Sequence, residues 1–288
     1  MNKLISTIVV LLVAVMTAIV LAAPRPAMAA DAAAINRESK VSSVSPKEAR
    51  AILMHMAEFI AKTGSFSVAV RDSYDVYQKS GQKIEFSEMR KITVARPDRL
   101  RIEVEESSGD RQMLLFDGKE LTMATLSRNV YARTPQPGSI DDAVIYFISN
   151  LGMKLPFSVL LQTTAPKELD QKTQTLDYVE RTTIFGAPAH HLAGRTARVD
   201  YQIWIADGDQ PLPQRLVLTY RKEKGQPQFR AQFSDWNTAA ETPASMFEFV
   251  PPVGMHKITF LTQQPQSPGR KSIKPVKVRN SKQPGGQK

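Results

Sequence analysis

Residues 99–125 read RLRIEVEESSGDRQMLLFDGKELTMAT. Leu100, Ile102 and Val104 alternate with Arg101, Glu103 and Glu105. A period of two is the mark of a strand with one face buried and one face wet. Ser108-Gly109 turns the chain. Met113 to Phe116 is a second strand, and Asp117-Gly118 is a hairpin signal leading into Leu121 to Thr125. Short strands joined by tight turns make an antiparallel meander.

The same pattern extends in both directions. Upstream, Phe66, Val68 and Val70 alternate with smaller residues, and Ile84 to Val94 is a strand after the turn at Ser80-Gly81. A helix precedes them. Ser45 caps it, Pro46 suits the first helical position, and Glu48 completes a capping box. Ala49, Ile52, Leu53, Met56, Phe59 and Ile60 then fall on one stripe, and Gly64 ends the helix. Downstream of Val130 and Tyr131, the pattern breaks at Pro135 to Gly138. Ile140 to Leu151 is a helix with Ala143, Val144, Phe147, Ile148 and Leu151 on one face. Leu155 to Leu161 is a second apolar segment, and Pro166 to Gln171 one more helical turn. Strands return at 174–185, 189–193, 199–206, 215–221 and 229–236, with a last short one through Phe247 to Val250. The expected class is mainly β with helices (α+β): one curved antiparallel sheet whose hollow face the helices cover.

The ends set the compartment. Lys3 precedes an apolar run from Leu4 to Ala23, Pro24-Arg25-Pro26 breaks it, and Ala27-Met28-Ala29 offers an A-x-A site. This is a secretory signal, 1–29, with cleavage expected after Ala29 and a periplasmic destination. A small, polar arm without period, 30–44, follows it. The formal net charge is +10, and Lys3, Arg25 and the basic residues after His256 account for all of it. The centre of the chain is neutral, which argues against nucleic acid as a partner. The segment 263–288 is Gln, Pro, Ser, Gly and Lys, a composition expected to be disordered and able to attract an anionic membrane surface. Cysteine is absent, so an exported protein of this sequence depends on its core without disulfides. The folded domain is expected over 45–262.

Catalytic and metal motifs are scarce. His190-His191 lie on one strand and point to opposite faces, so they do not converge on a metal. Asp207-Gly208-Asp209 lacks the remaining ligands of a calcium loop and reads as a hairpin turn. There is no G-x-S-x-G and no phosphate-binding glycine loop. The expectation is therefore no cofactor, no metal and no catalytic set. Inward positions are rich in apolar residues instead. Leu100, Ile102, Val104, Met113, Leu115, Leu121 and Met123 on strands, with Phe147 and Leu160 on the covering helices, are expected to line an apolar pocket. The assignment depends on parity: a shift of one residue turns Leu114 and Phe116 inward instead.

Three segments together carry a family resemblance. Arg96-Pro97-Asp98-Arg99-Leu100-Arg101 opens a strand, Leu114 to Leu121 spans the Asp117-Gly118-Lys119 hairpin, and Met246-Phe247-Glu248-Phe249-Val250-Pro251-Pro252-Val253-Gly254 stands near the end. Their order resembles the periplasmic lipoprotein carriers and receptors of the LolA/LolB type, and most of all that superfamily's family of predicted periplasmic proteins of unknown function. The resemblance covers roughly Ser45 to Met255. It implies a half-open β-barrel closed by an N-terminal helix and central helices, with a cavity for acyl chains. It also implies a latch: the arginine of the R-P motif, here Arg96, hydrogen-bonds lid backbone and holds the empty cavity shut.

The expected function is a non-catalytic periplasmic binding or carrier protein for acyl chains, lipoproteins or other hydrophobic envelope molecules. The alternative is a structural or sensory envelope protein that binds another protein through the same sheet. A hydrolase with an unrecognised site ranks last.

Overall fold

The computed structural model describes residues 44–260. The expected signal segment 1–29, nearly all of the arm and the basic tail lie outside them. Helix α1 (Pro46–Lys62) begins as its sequence requires. Ser45 Oγ accepts from the Glu48 backbone N–H at 3.3 Å, and the Glu48 carboxylate accepts from Ser45 N–H at 2.7 Å. The strands β1 (Ser65–Tyr77), β2 (Lys83–Ala95), β3 (Arg99–Glu106), β4 (Arg111–Phe116), β5 (Glu120–Thr125) and β6 (Val130–Pro135) form an antiparallel meander that steps outward from β1. The chain then leaves the sheet through α2 (Ile140–Ser149), a 3₁₀ turn at Ser158–Leu161, and α3 (Ala165–Lys172).

It re-enters at the far edge. Strands β7 (Thr175–Ile184), β8 (Ala187–Arg195), β9 (Val199–Ala206), β10 (Pro213–Tyr220) and β11 (Gln228–Asn237) step back until β11 pairs with β1. A short β12 (His256–Ile258) adds to β6 in parallel. Among the described residues this makes one open, curved sheet in the order β12-β6-β5-β4-β3-β2-β1-β11-β10-β9-β8-β7. The segment from β6 to β7 has to travel from one edge of the sheet to the other. Its apolar residues make that passage favourable across the hollow face, where α1 also lies.

The core is therefore the space between sheet and helices. α1 buries Ala49, Leu53, Met56, Ala57 and Ile60 in it, and α2 buries Ile140, Ala143, Val144 and Phe147. Antiparallel partners share a face. The register pairs Phe66 with Val94, Val94 with Leu100, Leu100 with Phe116, and Phe116 with Leu121, and all five are fully buried. Burying each such side chain contributes about 1.5–3 kcal/mol, which holds the fold without disulfides.

Two expectations about elements need correction. The stretch Phe247 to Val250 is not a strand. Ala244–Phe247 is a 3₁₀ turn, and the last strand lies further on, at His256–Ile258. Pro251-Pro252 shows why, because proline lacks the N–H a sheet ladder needs. Ile148 was expected on the buried face of α2 but is 36% exposed, because α2 ends in its own solvent-facing last turn.

Candidate functional site

The hollow face and its helical cover form the first candidate site. Leu100, Ile102, Leu121 and Phe147 are buried there; Leu160 is buried too, and Val104 and Met123 pack partly buried against the same cluster. Met113 and Leu115 do not belong to this face. The register pairs Leu114 with Ile102 and Phe116 with Leu100, so Leu114 and Phe116 point inward and their neighbours point out. Leu115 is instead buried on the convex face, beneath Phe247, and Met113 lines a convex-face groove with Met89 and Leu126. The physical reason is a second cover. The chain from Ala244 to Ile258 crosses the outside of β3 to β6, so β4 is apolar on both sides and alternation loses its contrast.

The cover of the hollow face is fastened from the sheet. Arg96 precedes β3 and donates to three carbonyls: Leu161 O at 2.9 Å, Thr63 O at 3.2 Å and Ile60 O at 3.4 Å. Two of these end α1 and one ends the 3₁₀ turn, so a single guanidinium ties both pieces of the cover to the rim. Burial pushes the Arg96 pKa down, and Asp141 partly opposes this. Asp141 also accepts from Thr163 N–H at 2.9 Å and from the Thr163 hydroxyl at 2.6 Å, joining α2 to the same turn. At the other end Arg50 of α1 donates to Asp170 and to Thr173 O, and the Thr173 hydroxyl meets Tyr201 of β9 at 2.8 Å.

The first two motifs of the sequence meet in space. Gly118 has φ of +84°, and a Cβ there would fall 2.5 Å from Asp98 Oδ2. The positive φ and the close approach together favour glycine where the Asp117 hairpin meets the Arg96-Pro97-Asp98 turn. Pro97 O then accepts from Ile140 N–H at 2.9 Å and so positions α2.

The third motif is the outer strap. Phe247 is fully buried against the convex face. Arg101 donates to Met246 O at 2.8 Å, and Arg133 donates to Phe249 O at 2.7 Å while lying 5.6 Å from the Phe249 ring.

A family model described as "Predicted periplasmic protein (DUF2092)" matches residues 49–261. The chain belongs to the DUF2092 family. That match spans the inner cover, the sheet and the outer strap, so all three motifs lie within the family's domain, and the family's description agrees with the export expected from the N-terminus. No curated protein matches the chain. Among solved structures, this DUF2092 protein is similar to MucB, at 17% identity over 73% of this chain and a TM-score of 0.39. It spans 64% of the length of MucB. It is also similar to LprF from Mycobacterium bovis, at 15% identity, over 68% of this chain and 95% of that one, with a TM-score of 0.43. A LolA superfamily protein from Nitrosomonas europaea is similar at 12% identity, over 70% and 97%, with a TM-score of 0.35.

One part of the hollow face is charged, and no sequence motif marks it. Asp72, Glu88, Arg90 and Glu106 carry the same inward parity as Val70 and Val104, by the register Asp72–Glu88, Glu88–Glu106 and Arg90–Val104. Arg90 Nε donates to Asp72 Oδ2 at 2.6 Å, and its Nη2 donates to Glu88. Burial pushes both carboxyls up in pKa; Arg90 opposes this, while at Glu88 the charges of Asp72 and Glu106 add to it. The signal was present: the even-numbered positions from Phe66 onward lead straight to Asp72.

Proposed function

We propose that this is a non-catalytic envelope protein that binds or carries a hydrophobic molecule, such as an acyl chain or the lipid of a lipoprotein, on the hollow face of its sheet. The observation that carries the reading is the fastening of the cover. An apolar sheet face is closed by helices that a half-buried arginine, Arg96, ties to the rim through three backbone carbonyls. Such a cover exchanges with an acyl chain without covalent chemistry. Each charge-assisted bond given up costs roughly 1.5–3 kcal/mol, and each methylene transferred recovers about 0.8 kcal/mol, so a chain of lipid length is enough to open it. In this reading Arg96 is the latch and Leu100, Ile102, Val104, Leu121, Met123, Phe147 and Leu160 line the opened face. The mature protein begins after Ala29, in the periplasm, and its basic tail touches anionic membrane surfaces.

The test is a titration of wild type, Arg96→Leu and Met123→Asp with a fluorescent fatty acid. Met123→Asp is expected to lose binding, because a carboxylate there would face the chain in an apolar site. Arg96→Leu is expected to change affinity or release rate while remaining folded by circular dichroism. If none of the three binds the probe and protein purified from the envelope carries no lipid by native mass spectrometry, the carrier reading fails. The protein-binding reading then replaces it, through Val76, Ile84 and Phe86, which are 37%, 40% and 42% exposed.

A further inference from the structure

The inward charges of β1 to β3 are unusual for a face built to hold hydrocarbon. Asp72, Glu88 and Glu106 sit side by side on three neighbouring strands, with Arg90 one step toward the core. Three carboxylates face one guanidinium, so negative charge is in excess. The Asp72 side chain is 0% exposed and those of Arg90 and Glu88 are 11% and 12% exposed. Asp72 uses Oδ2 for Arg90, but its Oδ1 is buried and meets no donor. A buried acceptor left in that condition is destabilising, so an arrangement that supplies a donor and a positive charge is favoured.

The surroundings say which kind of group can do so. The next inward pair along the same strands is Tyr74 and Phe86, stacked at 6.0 Å, and Phe86 is 42% exposed. The β2–β3 pairing ends at Glu88–Glu106, so this end of the β1–β2 hairpin projects beyond β3. Phe157, from the covering segment, lies 5.9 Å from Arg90 Cζ and closes the cluster on the side of the cover. The acidic row thus stands where an open aromatic strip passes into the covered core. Aromatic faces attract cations, and ammonium N–H groups make strong bonds to carboxylates. An anionic head group has no comparable partner, because Arg90 is already engaged by two carboxylates.

We infer that Asp72, Glu88 and Glu106, beside Tyr74 and Phe86, form a cation-receiving subsite that takes the ammonium group of an amine-bearing amphiphile. The inference rests on the carrier reading above and names the head group of its ligand. The alkyl chain runs under the cover, in the place of Phe157, while the ammonium meets the acidic row.

The experiment measures binding of dodecylammonium, dodecyl maltoside and dodecyl sulfate below their micelle concentrations, at ~0.15 M salt to screen the basic ends, by calorimetry on the full chain. Wild type is expected to bind dodecylammonium at least tenfold more tightly than dodecyl maltoside. Glu88→Gln is expected to reduce that ratio to within threefold. Glu106→Gln, at a more exposed position, is expected to reduce it by at least threefold and decides the matter if Glu88→Gln does not fold. Equal binding of all three probes by wild type, or a ratio unchanged in folded Glu88→Gln and Glu106→Gln, overturns the subsite and leaves the carrier reading standing. Failure of every probe to bind wild type overturns both.

Discussion

The sheet from β3 to β6 is covered twice, and the two covers differ in what lies beneath them. Both are held alike, by arginines on or beside the sheet that donate to the cover's carbonyls: Arg96 to Ile60, Thr63 and Leu161 inside, Arg101 to Met246 and Arg133 to Phe249 outside. Inside, the helices rest on a continuous apolar cluster that runs from α1 across the sheet to Phe116 and Leu121. Outside, the strap rests on Phe247 and Leu115, with Asp117, Glu120, Thr122 and Arg133 around them. The inner cover can leave only if something apolar takes its place, since bare hydrocarbon would otherwise meet water. The strap can lift with less apolar exposure, chiefly of Phe247 and Leu115. A mobile inner cover on this fold therefore implies a hydrophobic replacement, whereas a mobile strap implies nothing about a ligand.

Deleting one large ring from each side gives the widest separation. Phe116→Ala removes a fully buried ring from the inner cluster and is expected to cost about 3–5 kcal/mol. Phe247→Ala removes an equally buried ring, but the strap can detach locally instead of leaving a cavity. Its global cost is expected to be about 1–2 kcal/mol, bounded by the free energy of local opening. Urea unfolding of both variants checks this, and equal losses would make the strap part of the same cooperative unit as the core.

The two covers also explain what could be read from the sequence. The capping box at Ser45, the meander and the α+β class follow from local rules, and the structure agrees with them. The inward facing of Leu100, Ile102 and Val104 is legible because charged residues alternate with them. The facing of Met113 and Leu115 is not, because Met113-Leu114-Leu115-Phe116 is apolar at both parities. Leu115 is apolar because a strap more than a hundred residues away covers it from outside, and no local pattern announces so distant a partner. The Phe247 motif has the composition of a strand but plugs a face and does not extend an edge. Asp72 and Glu88 are hard to place for the opposite reason. Charged residues on a strand suggest solvent, yet parity puts these inward, and parity is the stronger evidence in an uninterrupted strand.

Cutting the Arg96 tie to the inner cover gives a smaller effect and a more local one. Arg96→Leu deletes three donors to cover carbonyls but leaves the apolar cluster in place. Overall stability is expected to fall by about 2–3 kcal/mol, less than three full charge-assisted bonds, because Arg96 is only half-buried and its bond to Ile60 O is long at 3.4 Å. Hydrogen exchange should speed most at the end of α1 and around Leu161, with the β1–β2 and β3–β4 pairings nearly unchanged. Arg133→Leu on the strap should leave exchange at the α1 end untouched. If Arg96→Leu instead loosens the whole sheet evenly, the arginine is part of the core framework and the cover has no motion of its own.

Acid separates the two faces by sign, with the smallest expected effect. On the inner face burial raises the Asp72 pKa, the Arg90 charge opposing it, and Glu88 is raised as well. On the outer face the hydrogen bond from Arg101 lowers the Glu103 pKa. A raised carboxyl holds its proton more tightly in the folded state. Its favourable contribution is complete below the unfolded value, about 4, and is lost as pH rises through the folded value. A lowered carboxyl behaves oppositely: its contribution is present above the unfolded value and is lost as pH falls through the folded one. Asp72→Asn should therefore be compared with wild type in urea at neutral pH and at pH near 4, and wild type should gain on the variant as pH falls. Against Glu103→Gln, wild type should lose ground over the same change. Should Asp72→Asn follow the Glu103→Gln trend, the Arg90 ion pair outweighs the burial of Asp72. Asp72 would then be committed to Arg90, and the ammonium subsite would rest on Glu88 and Glu106 alone.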